Sequence, residues 1–326
     1  MYNFEEFVVQ VKNGLERVLK NRYGNAKVSV VTRKKINCEM VGLECLVPNK
    51  YSINPTVYME SFYKEYMVHG NINEIIARTT DIIVETMKEY KYMQNKVDNL
   101  KNTADGIIFQ LIHTEQNKEL LKTMPHREFM NLSIVYRCIL DISDDGMLSA
   151  PVTHAYADML GVNEEELYEL AFENTRYIMK PTVHAMEEVI EGLEEALGMK
   201  GEIMGESTME QTPPLYVISN SKKTWGAASV LYKGKLLSLA EQLDSDLYLM
   251  PSSTHEMMIT PATQEMLEVV ESMLYEVNQN VVDIEERLSN EIYLYDRKSN
   301  SITQVTDSPH KMLDDGPTES MGMGMC

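Results

Sequence analysis

Residues 215–262 read LYVISNSKKTWGAASVLYKGKLLSLAEQLDSDLYLMPSSTHEMMITPA and decide the fold class of the chain. The segment holds four apolar strand patterns and one amphipathic helix pattern, the strands at 215–219, 227–232, 246–250 and 257–260 and the helix at 235–243. A polar run, PSSTHE, lies between the last two strands. Strands alternating with a helix predict an α/β unit here. The polar run between two strands is the part where recognition or chemistry is expected.

The N-terminal hundred residues predict a helix, three strands and a long second helix. Asn3 and Glu6 have the spacing of a capping box that begins the first helix. Strands are predicted at 27–33, 36–47 and 56–60, with Arg33, Lys34 and Lys35 in a tight turn, and the long helix at 71–100. Its apolar seam is expected to cover the sheet, and pairing with a second helix is the alternative. The seam consists of Ile72, Ile76, Thr79, Ile83, Thr86, Tyr90, Met93 and Val97.

The segment between these regions predicts a mixed unit of strands and helices. Strands are expected at 106–112, 129–142 and 147–152, with a helical turn at 117–121 and a hairpin turn at Asp144, Asp145 and Gly146. Helices are expected at 153–160, 164–174 and 183–197. Asn163 is expected to cap the second of these, and Glu164, Glu165 and Glu166 suit its first turn because carboxylates interact favourably with the helix dipole.

The fold class that follows is α+β, a mixed multi-unit protein with small sheets covered by helices and a C-terminal α/β unit. The expected units are 1–103, 104–197 and 215–306. A linker is expected at 198–214, which is rich in Gly, Pro, Ser and Thr. In the C-terminal unit a helix at 263–277 and strands at 291–295 and 301–305 complete the pattern. Residues 307–326 are polar and acidic, and we expect an unstructured tail.

The charge of the chain is strongly acidic and uneven. The 326 residues include 30 Lys and Arg and 50 Asp and Glu, a net charge of −20. Residues 1–50 carry a net charge of +4, and residues 155–210 a net charge of −11. Duplex binding needs clustered Lys and Arg to displace counterions, so the composition disfavours nucleic acid as a partner. A small basic face at Arg33, Lys34 and Lys35 is the alternative that would contact nucleic acid.

The sequence predicts a protein of the reducing cytoplasm. Its four cysteines, Cys38, Cys45, Cys138 and Cys326, form no CxxC pair, and the first two fall on apolar strand patterns where free thiols pack as small hydrophobes. The N-terminus lacks the basic region and apolar core of a signal peptide. No window reaches the roughly 18 uninterrupted apolar residues of a membrane span. We therefore expect no membrane association.

A candidate functional cluster consists of Asn220, Trp225, Ser252, Ser253, His255 and Glu256. Ser253 and His255 lie two residues apart, which on a strand places both side chains on one face. A serine nucleophile needs a base within hydrogen-bond reach, and residues i and i+2 of one strand usually lie too far apart. The serines are alternatively expected to bond local backbone, with His255 structural. Trp225 is interpreted as core packing, with a pocket lid or a recognition anchor as alternatives.

Metal and cofactor motifs are incomplete in this sequence. His255 and Glu256 begin a zinc-protease HExxH pattern, but Ile259 stands where the second histidine is required. A zinc site completed by His113, His126 or His154 is a remote alternative. Gly234 and Lys235 do not form a P-loop, because Leu236 replaces the Ser or Thr that binds magnesium. We therefore predict no cofactor and no metal.

Several short motifs, in order along nearly the whole chain, resemble an uncharacterised bacterial family known mainly from anaerobic Gram-positive bacteria. The two most specific are PSSxHE at 251–256 and ELYELAxENT at 166–175. The others lie at 54–58, 63–66, 132–136, 216–220, 226–228, 245–248 and 288–290. The order of elements is also distantly similar to a second uncharacterised bacterial family. Neither resemblance implies an activity or a catalytic residue.

Two functional hypotheses follow from different classes. The preferred one is a non-catalytic binding or adaptor protein, because no complete catalytic or cofactor template occurs in the 326 residues. A protein partner would contact the exposed loops of the C-terminal unit and the acidic helices. The alternative is a hydrolase-like enzyme that uses Ser253, His255 and Glu256. The sequence leaves the substrate, the partner and the oligomeric state open.

Overall fold

The computed structural model describes residues 1–47, 54–100, 104–143, 146–197 and 214–306. The chain divides into two compact units, Met1–Thr103 and Ala104–Cys326. Both contain helices and small sheets, and every strand pairing within the described ranges is antiparallel. The predicted α+β class is therefore confirmed.

In its described residues, the first unit contains three helices and one three-stranded sheet of order β1-β2-β3. Its elements are α1 (Phe4–Tyr23), β1 (Lys27–Lys35), β2 (Cys38–Leu46), β3 (Thr56–Tyr58), α2 (Glu60–His69) and α3 (Ile72–Leu100). The predicted capping box begins α1, since Asn3 Oδ1 accepts the Glu6 amide at 2.9 Å and the Glu6 carboxylate accepts the Asn3 amide at 3.1 Å. The helix ends at Gly24, whose φ of 76° favours glycine.

The core of the first unit lies between α1, the sheet and α3. Phe7, Val11 and Leu15 of α1 are fully buried. The predicted seam of α3 lies on this core, because Thr79 and Ile83 are buried and Ile72 and Ile76 pack half-buried against it. Ile75, Thr80, Val84 and Met87 are also buried, so the buried face is wider than the seam, and the side chains of Tyr90, Met93 and Val97 lie outside the described residues.

The basic group of the first unit lies in a strand and not in the predicted turn. Arg33, Lys34 and Lys35 belong to β1, and the turn to β2 is formed by residues 36 and 37, with Asn37 at a φ of 60°. Arg33 is 2.6 Å from the Glu44 carboxylate, Lys34 is 3.8 Å from that of Glu39, and Lys35 lies over the Tyr58 ring. Each of the three cations therefore has a partner within its own unit.

The second unit contains ten strands and six helices in its described part, besides four short 3₁₀ helices. The strands are β4 (Ile107–His113), β5 (His126–Phe129), β6 (Leu132–Ser143), β7 (Gly146–Pro151), β8 (Pro181–Ala185), β9 (Tyr216–Asn220), β10 (Leu247–Met250), β11 (Met257–Pro261), β12 (Tyr293–Asp296) and β13 (Ser301–Gln304). The helices are α4 (Lys118–Leu121), α5 (His154–Leu160), α6 (Glu164–Ile178), α7 (Met186–Leu197), α8 (Lys233–Gln242) and α9 (Leu267–Asn280). The 3₁₀ helices are Ala104–Gly106, Gly226–Leu231, Gln264–Met266 and Ile284–Glu286.

Two sheets organise the second unit. One has the order β4-β6-β5, with β7 also paired to β6, and the other has the order β13-β12-β10-β11-β9-β8. One hydrophobic core includes Phe109 and Tyr136 of the first sheet, Leu167 of α6, and Ile218 and Leu249 of the second sheet. Strand β8 pairs with β9, so the segments expected as a central and a C-terminal unit share both a sheet and a core.

Three local predictions differ from the structure. Residues 227–232, predicted as a strand, form most of the 3₁₀ helix Gly226–Leu231, whose small side chains are buried. The predicted helix 183–197 begins as strand β8, because Pro181–Ala185 pairs with β9, and becomes helical only at Met186. Helix α2 follows β3 directly and was not predicted.

Other predictions fall partly or wholly outside the described residues. These are the linker, except for Pro214, the hairpin turn at Asp144 and Asp145, the tail at 307–326, and Cys326. Cys38, Cys45 and Cys138 form no disulfide with a described residue, and burial raises the pKa of Cys45 to about 12. Of the helices in the described ranges, none has the length and apolar content needed to cross a bilayer.

Candidate functional site

The fold brings the six predicted residues to one region of the larger sheet. Asn220 is the last residue of β9, and residues 252–256 connect β10 to β11. Strands β9 and β11 are antiparallel neighbours with Met257 opposite Ile218, so the end of β9 lies beside the start of β11. Trp225 joins them from the loop after β9, because its amide donates to His255 Nδ1 at 3.2 Å.

Ser253 is bonded to the backbone of its own loop. Its Oγ accepts the amide of His255 at 3.1 Å and that of Glu256 at 3.3 Å. The side chain is buried, as are those of Ser252 and Thr254. This is the local turn that serine hydroxyls commonly stabilise, and it corresponds to the structural alternative for the serines.

His255 uses both ring nitrogens in contacts that do not involve Ser253. Nδ1 accepts the Trp225 amide, and Nε2 lies 3.1 Å from Glu286 Oε1. Because an amide donates to Nδ1, the ring proton is assigned to Nε2, which donates to the carboxylate. Glu286 belongs to the 3₁₀ helix Ile284–Glu286 and lies 31 residues away in the sequence, so no local pattern identified it. The geometry lacks the serine–imidazole hydrogen bond of a nucleophile and its base.

Asn220 organises the loop between β9 and Trp225. Its Oδ1 accepts the Lys222 amide at 2.9 Å, and its Nδ2 donates to the Thr224 carbonyl at 2.8 Å. Ser219 Oγ donates to the His255 carbonyl at 2.8 Å, which ties this loop to the connection between β10 and β11. The buried amide of Asn220 therefore closes a turn.

Trp225 packs against the side of the smaller sheet. Its ring is half-buried among Ile108, Ile139 and Met179, and the Arg137 guanidinium lies 4.4 Å from the ring centroid. Burial lowers the pKa of Arg137 to about 10. Both the apolar and the cation–π contacts hold the indole in place. The backbone at Trp225 has a φ of 51°, a strained value for a large residue.

Glu256 is exposed, and it joins these contacts through its backbone amide, which donates to Ser253 Oγ at 3.3 Å. It lines a cavity of about 520 Å³ together with Asn220, Ser219 and Lys223, and with His184 and Glu188 from β8 and α7. Glu256 follows His255 in the sequence, but the carboxylate that contacts the imidazole is that of Glu286. No group of three or more metal-ligating side chains occurs in the described part of the chain.

A larger cavity, of about 870 Å³, lies between α6 and α8 of the second unit. Aromatic and basic side chains dominate its wall. It is lined by Phe172, Arg176, Tyr177, Lys180, Pro181, Leu231, Tyr232, Lys233, Gly234, Lys235 and Ser238. We call it the α6–α8 cavity.

The basic side chains of the α6–α8 cavity form no ion pair with the described carboxylates. Lys233 donates to the Asn300 carbonyl at 3.1 Å. Arg176, Lys180 and Lys235 are exposed, and none of the three forms an ion pair with a described carboxylate. They converge from the end of α6 and the start of α8. Sequence reasoning missed them because Lys235 lies more than fifty residues from Arg176 and Lys180 in the chain.

The predicted cluster is linked to this cavity through the 3₁₀ helix Gly226–Leu231. The Ala227 amide donates to the Thr254 carbonyl at 3.2 Å, and the Ser221 amide donates to the Lys180 carbonyl at 2.9 Å. The 3₁₀ helix leads directly into Tyr232 and α8. The hydrogen bonds around His255 therefore hold one wall of the cavity in position.

The fold and the cavity define an α+β protein with a cationic cavity in its larger unit. The chain belongs to the family of unknown function DUF5688, whose model matches residues 4–297. The predicted membership of an uncharacterised family is thus confirmed. Neither a curated protein nor a solved structure matches the chain.

Proposed function

We propose that this protein is a non-catalytic binding protein that takes a small anion into the α6–α8 cavity. The observation that carries the proposal is the convergence of Arg176, Lys180, Lys233 and Lys235 on one cavity of about 870 Å³. Like charges brought together raise each other's electrostatic energy, and an anion bound between them offsets that cost. The chain has a net charge of −20, so a cavity lined by four cationic side chains is a local exception to its negative electrostatic potential.

The contacts around Ser253 and His255 support a binding role over a hydrolytic one. Ser253 Oγ accepts two backbone amides, and the imidazole is held by Trp225 and Glu286. A reactive serine would need the imidazole as its base. We therefore assign the cluster a positioning role for the 3₁₀ helix that precedes α8.

Isothermal titration calorimetry with inorganic phosphate and pyrophosphate tests the binding proposal. We expect both anions to bind the wild-type protein at low salt, and the Lys235→Glu variant to bind at least about tenfold more weakly because one attraction becomes a repulsion. Lys64→Glu is the matched control, since Lys64 is an exposed lysine of the first unit. Absence of binding at millimolar concentration, or equal affinity in the Lys235→Glu variant, would refute the proposal.

A fluorophosphonate probe separates binding from hydrolysis. Such a probe labels activated serine nucleophiles, so we expect no labelling of the wild-type protein at Ser253. Mass spectrometry of the tryptic peptides locates any adduct. Labelling that is lost in the Ser253→Ala variant would replace the binding proposal with the hydrolase alternative.

A further inference from the structure

The net charge of the α6–α8 cavity constrains its ligand. Of its four cationic side chains, only Lys233 is bonded to a described group, the carbonyl of Asn300. Arg176, Lys180 and Lys235 form no ion pair with a described carboxylate. Burial and the nearby Glu173 carboxylate raise the pKa of the cavity residue Tyr232, so Glu173 offsets part of the positive charge and leaves a net charge of about +2. A carboxylate supplies one negative charge, whereas a phosphate monoester carries about −1.5 to −2 at neutral pH and three acceptor oxygens. The charge of the cavity therefore favours the monoester.

The apolar wall of the cavity is aromatic. Phe172 and Tyr232 lie with ring centroids 4.8 Å apart, and Tyr232 Oη donates to the Phe172 carbonyl at 2.6 Å. That hydrogen bond fixes the orientation of the Tyr232 ring and uses the proton of its hydroxyl. At the rim, Tyr177 is 76% exposed. An exposed ring beside two fixed rings is suited to stacking on a flat ligand.

We infer that the α6–α8 cavity selects a phosphate monoester of a flat ring compound, such as a nucleoside monophosphate. This inference rests on the proposed function and adds the class of ligand. Arg176, Lys180 and Lys235 bind the phosphate, and Tyr177 covers the ring from the solvent side. The volume of about 870 Å³ accommodates a ring together with a phosphate.

The test compares three probes on the full chain by isothermal titration calorimetry at pH 7.5. Phenyl phosphate carries the ring and the dianion, inorganic phosphate the anion alone, and benzoate the ring with a single charge. We expect phenyl phosphate to bind about tenfold more tightly than either of the others, because base-like stacking on an aromatic side chain contributes about that factor. Adenosine 5′-monophosphate is expected to bind at least as tightly as phenyl phosphate.

Two tyrosine variants locate the stacking. Tyr177→Ala is expected to bring the affinity for phenyl phosphate to within about twofold of that for inorganic phosphate, whose own affinity does not change. Tyr275→Ala is the matched control, because Tyr275 is exposed on α9, away from the cavity wall. The Tyr177 side chain is 76% exposed, so thermal unfolding of Tyr177→Ala is expected to match the wild type.

The outcomes distinguish this inference from the proposed function. Equal affinity for phenyl phosphate and inorganic phosphate would overturn the selection of a ring while anion binding stands. Benzoate binding as tightly as phenyl phosphate would overturn the selection of a phosphate. Failure of all the probes to bind would overturn the proposed function itself. An equal loss of phenyl phosphate binding in Tyr177→Ala and Tyr275→Ala would also overturn the assignment of Tyr177.

Discussion

Gly226 occupies a position where the backbone segments of the larger sheet come unusually close. A Cβ atom at this position would lie 2.3 Å from Ser219 Oγ, 2.4 Å from the His255 carbonyl oxygen and 2.9 Å from the Asn220 amide nitrogen. Two of these three neighbours are backbone atoms that cannot rotate away. The absence of a side chain is therefore what allows the loop after β9 to approach the connection between β10 and β11.

We predict that Gly226→Ala destabilises the protein by about 1–3 kcal/mol, the usual cost of forcing extra volume into a packed site. Chemical denaturation of the purified variant measures the free energy of unfolding. Gly234→Ala is the control, because a Cβ at Gly234 meets nothing within 4 Å. On a helix that second change is expected to be neutral or to stabilise by up to about 1 kcal/mol. Equal stability of the two variants would show that the loop relaxes freely.

His255 has a structural role that a substitution series can measure. His255→Ala removes the acceptor of the Trp225 amide, and we expect a loss of about 1 kcal/mol with cooperative unfolding retained. Leaving a buried donor without its acceptor costs about 1–3 kcal/mol. We expect the lower end of that range because the His255 side chain is 30% exposed, so water can bond to the Trp225 amide in the variant. His255→Asn supplies an oxygen close to the position of Nδ1 and is expected to recover most of the stability. If both variants lose the same free energy of unfolding, the hydrogen bond to Trp225 is not the way in which His255 stabilises the protein.

At the scale of elements, one side-chain network joins β5, β6 and α6. The Arg127 guanidinium contacts both carboxylate oxygens of Glu164, at 3.1 and 2.9 Å, and lies 4.0 Å from the Tyr168 ring centroid. Tyr136 Oη also donates to Glu164. Burial alone would raise the pKa of Glu164, but the hydrogen bonds from Arg127 and Tyr136 outweigh it and lower that pKa. The three glutamates at the start of α6 thus combine helix capping by Glu166 with anchoring by Glu164 and Glu165.

We predict that Arg127→Leu destabilises the protein by about 1–2 kcal/mol at pH 7, because Glu164 keeps its charge and loses its main partner. A carboxylate whose pKa is lowered on folding adds stability above its unfolded pKa, near 4.5, and that stability is lost as the pH falls through the lower folded value. The difference in unfolding free energy between wild type and variant should therefore shrink as the pH falls below about 4.5. Denaturant titrations at pH 7, 5 and 3.5 measure it.

Arg127→Lys serves as the control for this network. It keeps the positive charge but cannot reproduce the two-point contact with the carboxylate, so an intermediate loss is expected. A difference between wild type and Arg127→Leu that stays constant from pH 7 to 3.5 would contradict the role assigned to Glu164. In that case the loss would come from the packing of Arg127 on Tyr168.

The elements that sequence could predict are those whose cause is local. Asn3 and Asn163 begin helices through side-chain contacts three residues away, and both capping boxes are present. The 3₁₀ helix Gly226–Leu231 was mistaken for a strand because its conformation depends on the close approach at Gly226, which involves residues distant in the sequence. Strand β8 was missed for the same reason, since its pairing partner β9 begins only at Tyr216.

For the candidate site too, the sequence indicates the local polar residues but not their partners from distant parts of the chain. The polar loop at 252–256 and Asn220 stand out because polar residues follow apolar strand patterns in the sequence. The partner of His255, Glu286, was not identifiable because tertiary folding alone brings it close. The α6–α8 cavity combines the end of one helix with the start of another, and neither helix has a motif that marks it.

At the scale of the whole molecule, the two compact units have separate hydrophobic cores. Phe7, Leu15 and Ile83 belong to the core of the first unit, and Phe109, Ile218 and Leu249 to the main core of the second. Among the described residues, no side chain belongs to both cores. The second unit also contains both of its sheets in full. Each unit thus has the buried apolar surface that a domain needs to fold alone.

We predict that a fragment of residues 104–326 folds without the first unit. Its core includes strands from both sheets and helix α6, so the apolar contacts that stabilise it lie within the fragment. Differential scanning calorimetry should show one cooperative transition, and the near-ultraviolet circular dichroism of Trp225 should match that of the full chain. A fragment that keeps helical signal but loses near-ultraviolet signal and binds a hydrophobic dye would be a molten state. That result would mean that the first unit supplies packing that the second unit requires, and the two would then form one folding unit.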